Sequence, residues 1–369
     1  MLRRVRVVDA TERLGWLAGR LLADLGARVT KLEAPGADVS SPHWRALNVN
    51  KRLAYFDFAF RDSPARLGQL ASHADIVLAT PAPAQYEMFR RLLDRNPALV
   101  LVCITPFGLT GPKATWLGSD LEIMAAGGAM SLAGEPGGTP LRVSAPQAYA
   151  WAGSQAAVGA LMALYHRRAS GNGQLVDVSA QAAVITALSH APAFIDIAGT
   201  CPTRAGAFIT GRSVTGARFR VFWPCRDGYL NFILYGGVAG RRTNEQLCAW
   251  MRASAAELGA LAEQDWARWE PTVATQERID ALEKPMARFF SSLSKKEFLE
   301  EAHAREMLGY PVSTVGDIAA DPQLAARGFW QDIPAPGGGL ERHCGAFVIV
   351  DGRRAPLVPR KAHEYAASA

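Results

Sequence analysis

Residues 5–33 constrain the fold more than any other stretch. Val5–Ala10 is an apolar, valine-rich run of strand length. Leu14, Leu17, Ala18, Leu21, Leu22 and Leu25 follow at helical spacing, one apolar face. Gly26 then stands where a helix C-terminus favours glycine, and Arg28–Glu33 resumes a strand. Strand, helix and strand in so short a span require a parallel pair joined by a right-handed crossover. Tyr55–Phe58, Asp75–Thr80, Leu99–Thr105 and Gln174–Ser179 read as further strands with helical segments between them. This alternation predicts an α/β fold, a Rossmann-like doubly wound parallel sheet.

At 369 residues the chain exceeds one ordinary domain. Ser119-Asp120-Leu121-Glu122 has the form of a capping box, with Asp120 the first helical residue. Long helices are expected from about Ala150 to Arg168 and from Ala180 to about Ala198. The texture changes between about Thr200 and Tyr310, where tryptophan, arginine and short strands (Phe219–Trp223, Tyr229–Leu234) are frequent. Helices are expected around Asn244–Arg252 and Gln276–His303. This region is read as a smaller α+β domain (200–310), after a large domain (1–199) and before a loop-rich segment (311–369) that ends in an extended tail. Gly236, Gly237 and Gly240 read as a loop, with a mobile lid as the alternative.

Several function classes are disfavoured. The first turn, Asp9-Ala10-Thr11-Glu12-Arg13-Leu14-Gly15, lacks the G-x-G-x-x-G of a dinucleotide site. There is no P-loop, H-E-x-x-H or G-x-S-x-G. Five scattered cysteines and seven scattered histidines show no metal-ligand spacing, so no metal and no permanently bound cofactor are expected. The net charge of +6 is too diffuse for nucleic acid, though it suits a small anion. No apolar run is long enough to span a membrane, and a strand begins too early for a cleavable leader. A cytoplasmic protein is expected.

Six further blocks carry a resemblance: Gly19–Ala27 (GRLLADLGA), Asn48–Arg52 (N-x-N-K-R), Phe107–Pro112 (FGLTGP), Met130–Pro136 (MSLAGEP), Ser170–Ser179 (SGNGQLVDVS) and Asp321–Phe329 (DPQLAARGF). In order and spacing, over nearly the whole chain, they resemble the class III CoA-transferases, of the formyl-CoA and carnitine CoA-transferase type. The resemblance implies a large domain completed by the C-terminal segment, a small domain reached by linkers, and two chains threaded as interlocked rings. It also implies CoA and acyl-CoA as substrates. In that family an aspartate attacks the thioester, and CoA passes through a mixed anhydride and an enzyme-bound thioester to an acceptor acid. Such chemistry depends on positioning and on backbone N–H groups facing the oxyanion, which glycine-rich loops supply.

The chain departs from the family at the nucleophile. Counting back from Gly159 puts that position at Tyr149, or at Ala148 with one residue of slippage, and no aspartate lies between Asp120 and Asp177. A phenol titrates near pH 10, so roughly one part in a thousand is ionised at pH 7. A lysine that the family places near CoA phosphates is Ala59 here, and Ala34 and Ala79–Ala84 replace other CoA-contacting residues. Asn50, Lys51, Arg52, Gly15 and Thr80 remain as candidate CoA-binding residues, and Asp120 as a candidate acid. Racemisation is disfavoured, because it needs two bases and only one acid remains. Three readings stand. The chain is the nucleophile-deficient subunit of a hetero-oligomer with an Asp-bearing paralogue, a homodimeric transferase whose nucleophile is Asp120 or sits elsewhere, or a non-catalytic acyl-CoA-binding scaffold.

Overall fold

The computed structural model describes residues 1–335 and 338–358; the expected tail after 358 and part of the glycine run at 337–339 lie outside the described residues. The chain divides into two compact units. The first comprises residues 1–130, 142–202 and those from 321 onward; the second comprises 131–141 and 203–320. Residues 131–141 and 311–320, read in sequence with the large domain, therefore fall in the second unit.

The first unit is built on six parallel strands: β1 (Arg6–Ala10), β2 (Arg28–Glu33), β3 (Arg52–Tyr55), β4 (Ile76–Ala79), β5 (Val100–Thr105) and β6 (Leu175–Ser179). Their order is 3-2-1-4-5-6, that of a doubly wound sheet. β4 and β5 are buried at every position, as central parallel strands covered on both faces must be. Its helices are α1 (Trp16–Asp24), α2 (Pro42–Asn48), α3 (Ser63–Ser72), α4 (Tyr86–Arg95), α5 (Asp120–Ala126), α7 (Ala148–Ser170), α8 (Ala180–Ala187) and α9 (His190–Ala198), while the short α6 (Ala129–Leu132) runs across the boundary at residues 130 and 131. One core joins α1 and α7 through Ala18, Leu22, Ala152, Ala156 and Ala160. Alanines at the seam let the helices approach closely. Leu67, Ala71, Phe89 and Leu92, of α3 and α4, fill a separate core with Val77 and Leu101. Gly26 follows α1 with φ of +96°, a conformation that costs other L-residues energy.

Several expectations need correction. The third strand starts earlier than Tyr55, at Arg52, because Thr30–Glu33 of β2 pairs with Arg52–Tyr55. The single helix expected over 180–198 is two, α8 and α9, bent by 65°. The glycines at 236, 237 and 240 open a helix; they form neither loop nor lid. No single helix among the described residues is long and apolar enough to cross a membrane.

The second unit holds β7 (Phe208–Ile209), β8 (Phe219–Arg220), β9 (Phe222–Cys225), β10 (Gly228–Asn231), α10 (Gly237–Ala253), α11 (Gln276–Ser292), α12 (Lys295–Ala304) and β11 (Tyr310–Pro311). β11, β10 and β9 form an antiparallel sheet beside an aromatic core of Trp223, Phe232, Trp250, Phe289, Phe290 and Phe298. The expected helix over 276–303 breaks at Ser294, whose hydroxyl caps α12. In the first unit the C-terminal segment adds a hairpin, β12 (Trp330–Pro334) and β13 (Leu340–Cys344).

Glu283 of α11 is 8% exposed. Its carboxyl accepts the Arg220 N–H at 2.8 Å. Burial outweighs that hydrogen bond and the Arg220 charge and pushes its pKa from 4.5 up to about 7. A carboxyl with a raised folded pKa holds its proton more tightly when folded. Its stabilising contribution is complete below pH 4.5 and is lost as pH rises through about 7. Glu283→Gln keeps an oxygen for Arg220 and cannot ionise. In urea melts it should add about 2 kcal/mol at pH 8 and almost nothing at pH 4.5. An equal effect at both pH values would refute this.

Candidate functional site

In a sheet of this order the chain leaves β1 towards one side and β4 towards the other, opening a crevice at their carboxyl ends. A cavity of about 540 Å³ occupies that position. Glu12, Arg13 and Leu14 follow β1 there, Thr80 follows β4, and Pro106 follows β5. Tyr86 at the start of α4, Trp116 and Tyr149 complete the aromatic part of the wall. The Thr80 hydroxyl accepts the Glu12 N–H at 2.7 Å and so ties the two lips together. Trp116 stands edge-on to Phe107 at 6.3 Å, with the Lys113 ammonium 5.4 Å from its ring centre.

The candidate positions disperse. Thr80 borders the cavity, and Gly15 caps α1 one residue past Leu14. Arg52 is exposed on β3, an edge strand two strands from the crevice. Asn50 donates to Asp24 at 2.9 Å and accepts from the Val358 N–H at 2.5 Å. Lys51 is buried. Its ammonium donates to Asp9 Oδ2 (2.7 Å), the Trp16 carbonyl (2.7 Å) and Asn48 Oδ1 (2.8 Å). An ammonium has three N–H bonds, so none is left for a phosphate, and the expected role of Lys51 at CoA gives way to a structural one.

Asp120 and Tyr149, 29 residues apart, meet. Asp120 Oδ1 accepts the Tyr149 backbone N–H at 3.2 Å. Tyr149 is the second residue of α7, whose N-cap Gln147 makes no side-chain cap. Asp120 thus satisfies an N–H that the helix leaves open, and its charge faces the positive end of α7. Burial holds the Tyr149 phenol above its ordinary pKa, which keeps it protonated at neutral pH. The glycine-rich loop is also less free than expected. The Gly108 N–H goes to Thr105 Oγ1 at 2.9 Å, and that of Leu109 to the Asp177 carboxylate at 3.0 Å. Neither group is available to an oxyanion.

Sequence reasoning missed Arg13, Tyr86 and Trp116. Arg13 carried a signal, since it lies three residues beyond the end of β1 at the switch point, whereas Tyr86 opens α4 after an intervening turn. Trp116 sits in an irregular stretch and had none. No cluster of three or more metal-ligating side chains occurs among the described residues.

Comparison with known proteins identifies the family. The chain is 32% identical to the succinyl-CoA:(R)-benzylsuccinate CoA-transferase subunit BbsE of Thauera aromatica, over 98% of this chain and 92% of that one. It is 27% identical to a succinate–glutarate CoA-transferase of Agrobacterium fabrum, over 96% and 88%. The crystal structure of a CAIB/BAIF family protein from Brucella suis shares the fold with a TM-score of 0.75 and 24% identity, over 92% of this chain and 93% of that one. The pattern that defines CoA-transferase family III matches residues 2–361, and the chain belongs to that family.

Proposed function

We propose that this chain is the nucleophile-deficient subunit of a hetero-oligomeric CoA-transferase that moves CoA between an acyl-CoA and a carboxylic acid. An Asp-bearing family paralogue, interlocked with it, supplies the nucleophile. One observation carries this reading. The position that the count back from Gly159 assigns to the family's aspartate is Tyr149, whose phenol burial keeps protonated, and the Asp120 carboxylate accepts the Tyr149 N–H at the start of α7. A carboxylate attacks a thioester through an oxygen lone pair. Asp120 holds the Tyr149 N–H through Oδ1, and this contact gives the carboxylate a structural task at the start of α7. A second support is that a relative identical at 32% is itself a subunit.

The test is the composition of the complex purified from its own host, by native mass spectrometry. The expected result is this chain with one other family chain that carries aspartate at the aligned position. A homodimer that exchanges CoA by itself would overturn the reading and return Asp120 to candidacy as the nucleophile.

A further inference from the structure

The switch-point cavity has a lining ill suited to CoA. A pyrophosphate and a 3′-phosphate call for several cations, and only Arg13 among the described lining residues is one, beside a single anion, Glu12. Arg13 is exposed and makes no ion pair with a described residue. Tyr86, Trp116 and Tyr149 line the same cavity. The Thr80 hydroxyl accepts from Glu12 N–H, which leaves its own proton for a ligand. Burial raises the pKa of both tyrosines, so their phenols remain donors.

We propose that this cavity binds an aryl-substituted carboxylic acid, its ring against Tyr86, Trp116 and Tyr149 and its carboxylate on Arg13 and the Thr80 hydroxyl. Aromatic faces supply contact area at little entropic cost. The planar guanidinium matches a carboxylate, whereas one such group cannot neutralise the phosphates of CoA. The volume, about 540 Å³, suits a small aromatic ligand. Glu12 opposes the anion and limits the affinity. The proposal identifies what this chain's cavity holds. It does not require the nucleophile-deficient reading, because binding is measured whether or not a paralogue accompanies the chain.

The experiment is titration calorimetry of the full chain, in whatever assembly it purifies, with 3-phenylpropanoate, 3-phenylpropanamide and free CoA. The acid should bind saturably, and the amide about three- to tenfold more weakly. Arg13→Ala should weaken the acid by a similar factor and leave the amide unchanged, with partial rescue by Arg13→Lys. Glu12→Gln should tighten the acid, and Trp116→Ala should weaken both ligands. Absence of saturable acid binding, equal affinity for acid and amide, or indifference to Arg13→Ala would overturn the proposal. So would CoA binding that weakens in Arg13→Ala and that the acid fails to displace, since the cavity would then hold CoA.

Discussion

On the proposed reading, the chain assayed alone should show no CoA exchange between an acyl-CoA and a free acid. Activity should appear with the Asp-bearing paralogue. In that complex, replacing the paralogue's aspartate with alanine should lower kcat by about a thousandfold or more, because a covalent step loses its nucleophile. Substitutions in this chain divide by mechanism. Asp120→Asn keeps a side-chain oxygen for the Tyr149 N–H but is no nucleophile, so kcat should stay within about twofold of the native value. Asp120→Ala uncaps α7 and should cost about 1 kcal/mol of stability, again with kcat nearly unchanged. Tyr149→Phe removes only a phenol that burial keeps protonated. If instead Asp120→Asn abolished exchange while the melting profile stayed native, Asp120 would be the nucleophile and this assignment of roles would fail.

The parts of the molecule most legible in sequence are those set by local pattern. Short apolar or β-branched runs located β1, β2, β4, β5 and β6 within a residue or so, and the central pair, β4 and β5, read as continuous apolar segments because both their faces are covered. β3 slipped because its aromatic neighbours looked more strand-like than Arg52–Ala54. Phe56 is indeed buried, 4.6 Å from Phe58, but just past the strand end. Helix breaks at 188–189 and 293–294 were missed because apolar periodicity continues across them. The switch-point cavity followed from strand order once that was known, but its wall depends on contacts between distant residues. Lys51 looked like a phosphate ligand because nothing in sequence announces that Asp9, 42 positions away, takes its charge. Likewise, Asp120 and Tyr149 were each singled out, for unrelated reasons, and only the folded chain shows that one caps the helix of the other.

Lys51→Met should be among the most damaging single changes in the chain. The ammonium and the Asp9 carboxylate are 1% and 0% exposed and lie 2.7 Å apart. Asp9 also accepts the Thr11 N–H at 3.1 Å and its hydroxyl at 2.6 Å. Gly19 makes room for the pair, for a Cβ there would stand 2.1 Å from Asp9 Oδ2. Burial pulls the Lys51 amine down to about 8 in spite of Asp9, while Lys51 and Lys31 together hold Asp9 below the usual carboxylate range against the same burial. Desolvation therefore offsets much of the attraction, and the pair adds little net stability. Removing one partner is a different matter, because the other remains charged and buried. Lys51→Met should cost about 3 kcal/mol or more in urea melts at pH 7. Asp9→Asn keeps the Thr11 bonds, and combined with Lys51→Met it should recover most of that loss. The lowered lysine also has a consequence for pH. An amine whose folded pKa, about 8, lies below its unfolded 10.5 gives up its proton earlier when folded, so its contribution to stability rises between those values. That rise should vanish in the double variant. Were Lys51 a CoA ligand instead, Lys51→Met would weaken CoA binding and leave the melt unchanged, whereas internal pairing predicts the loss in the melt.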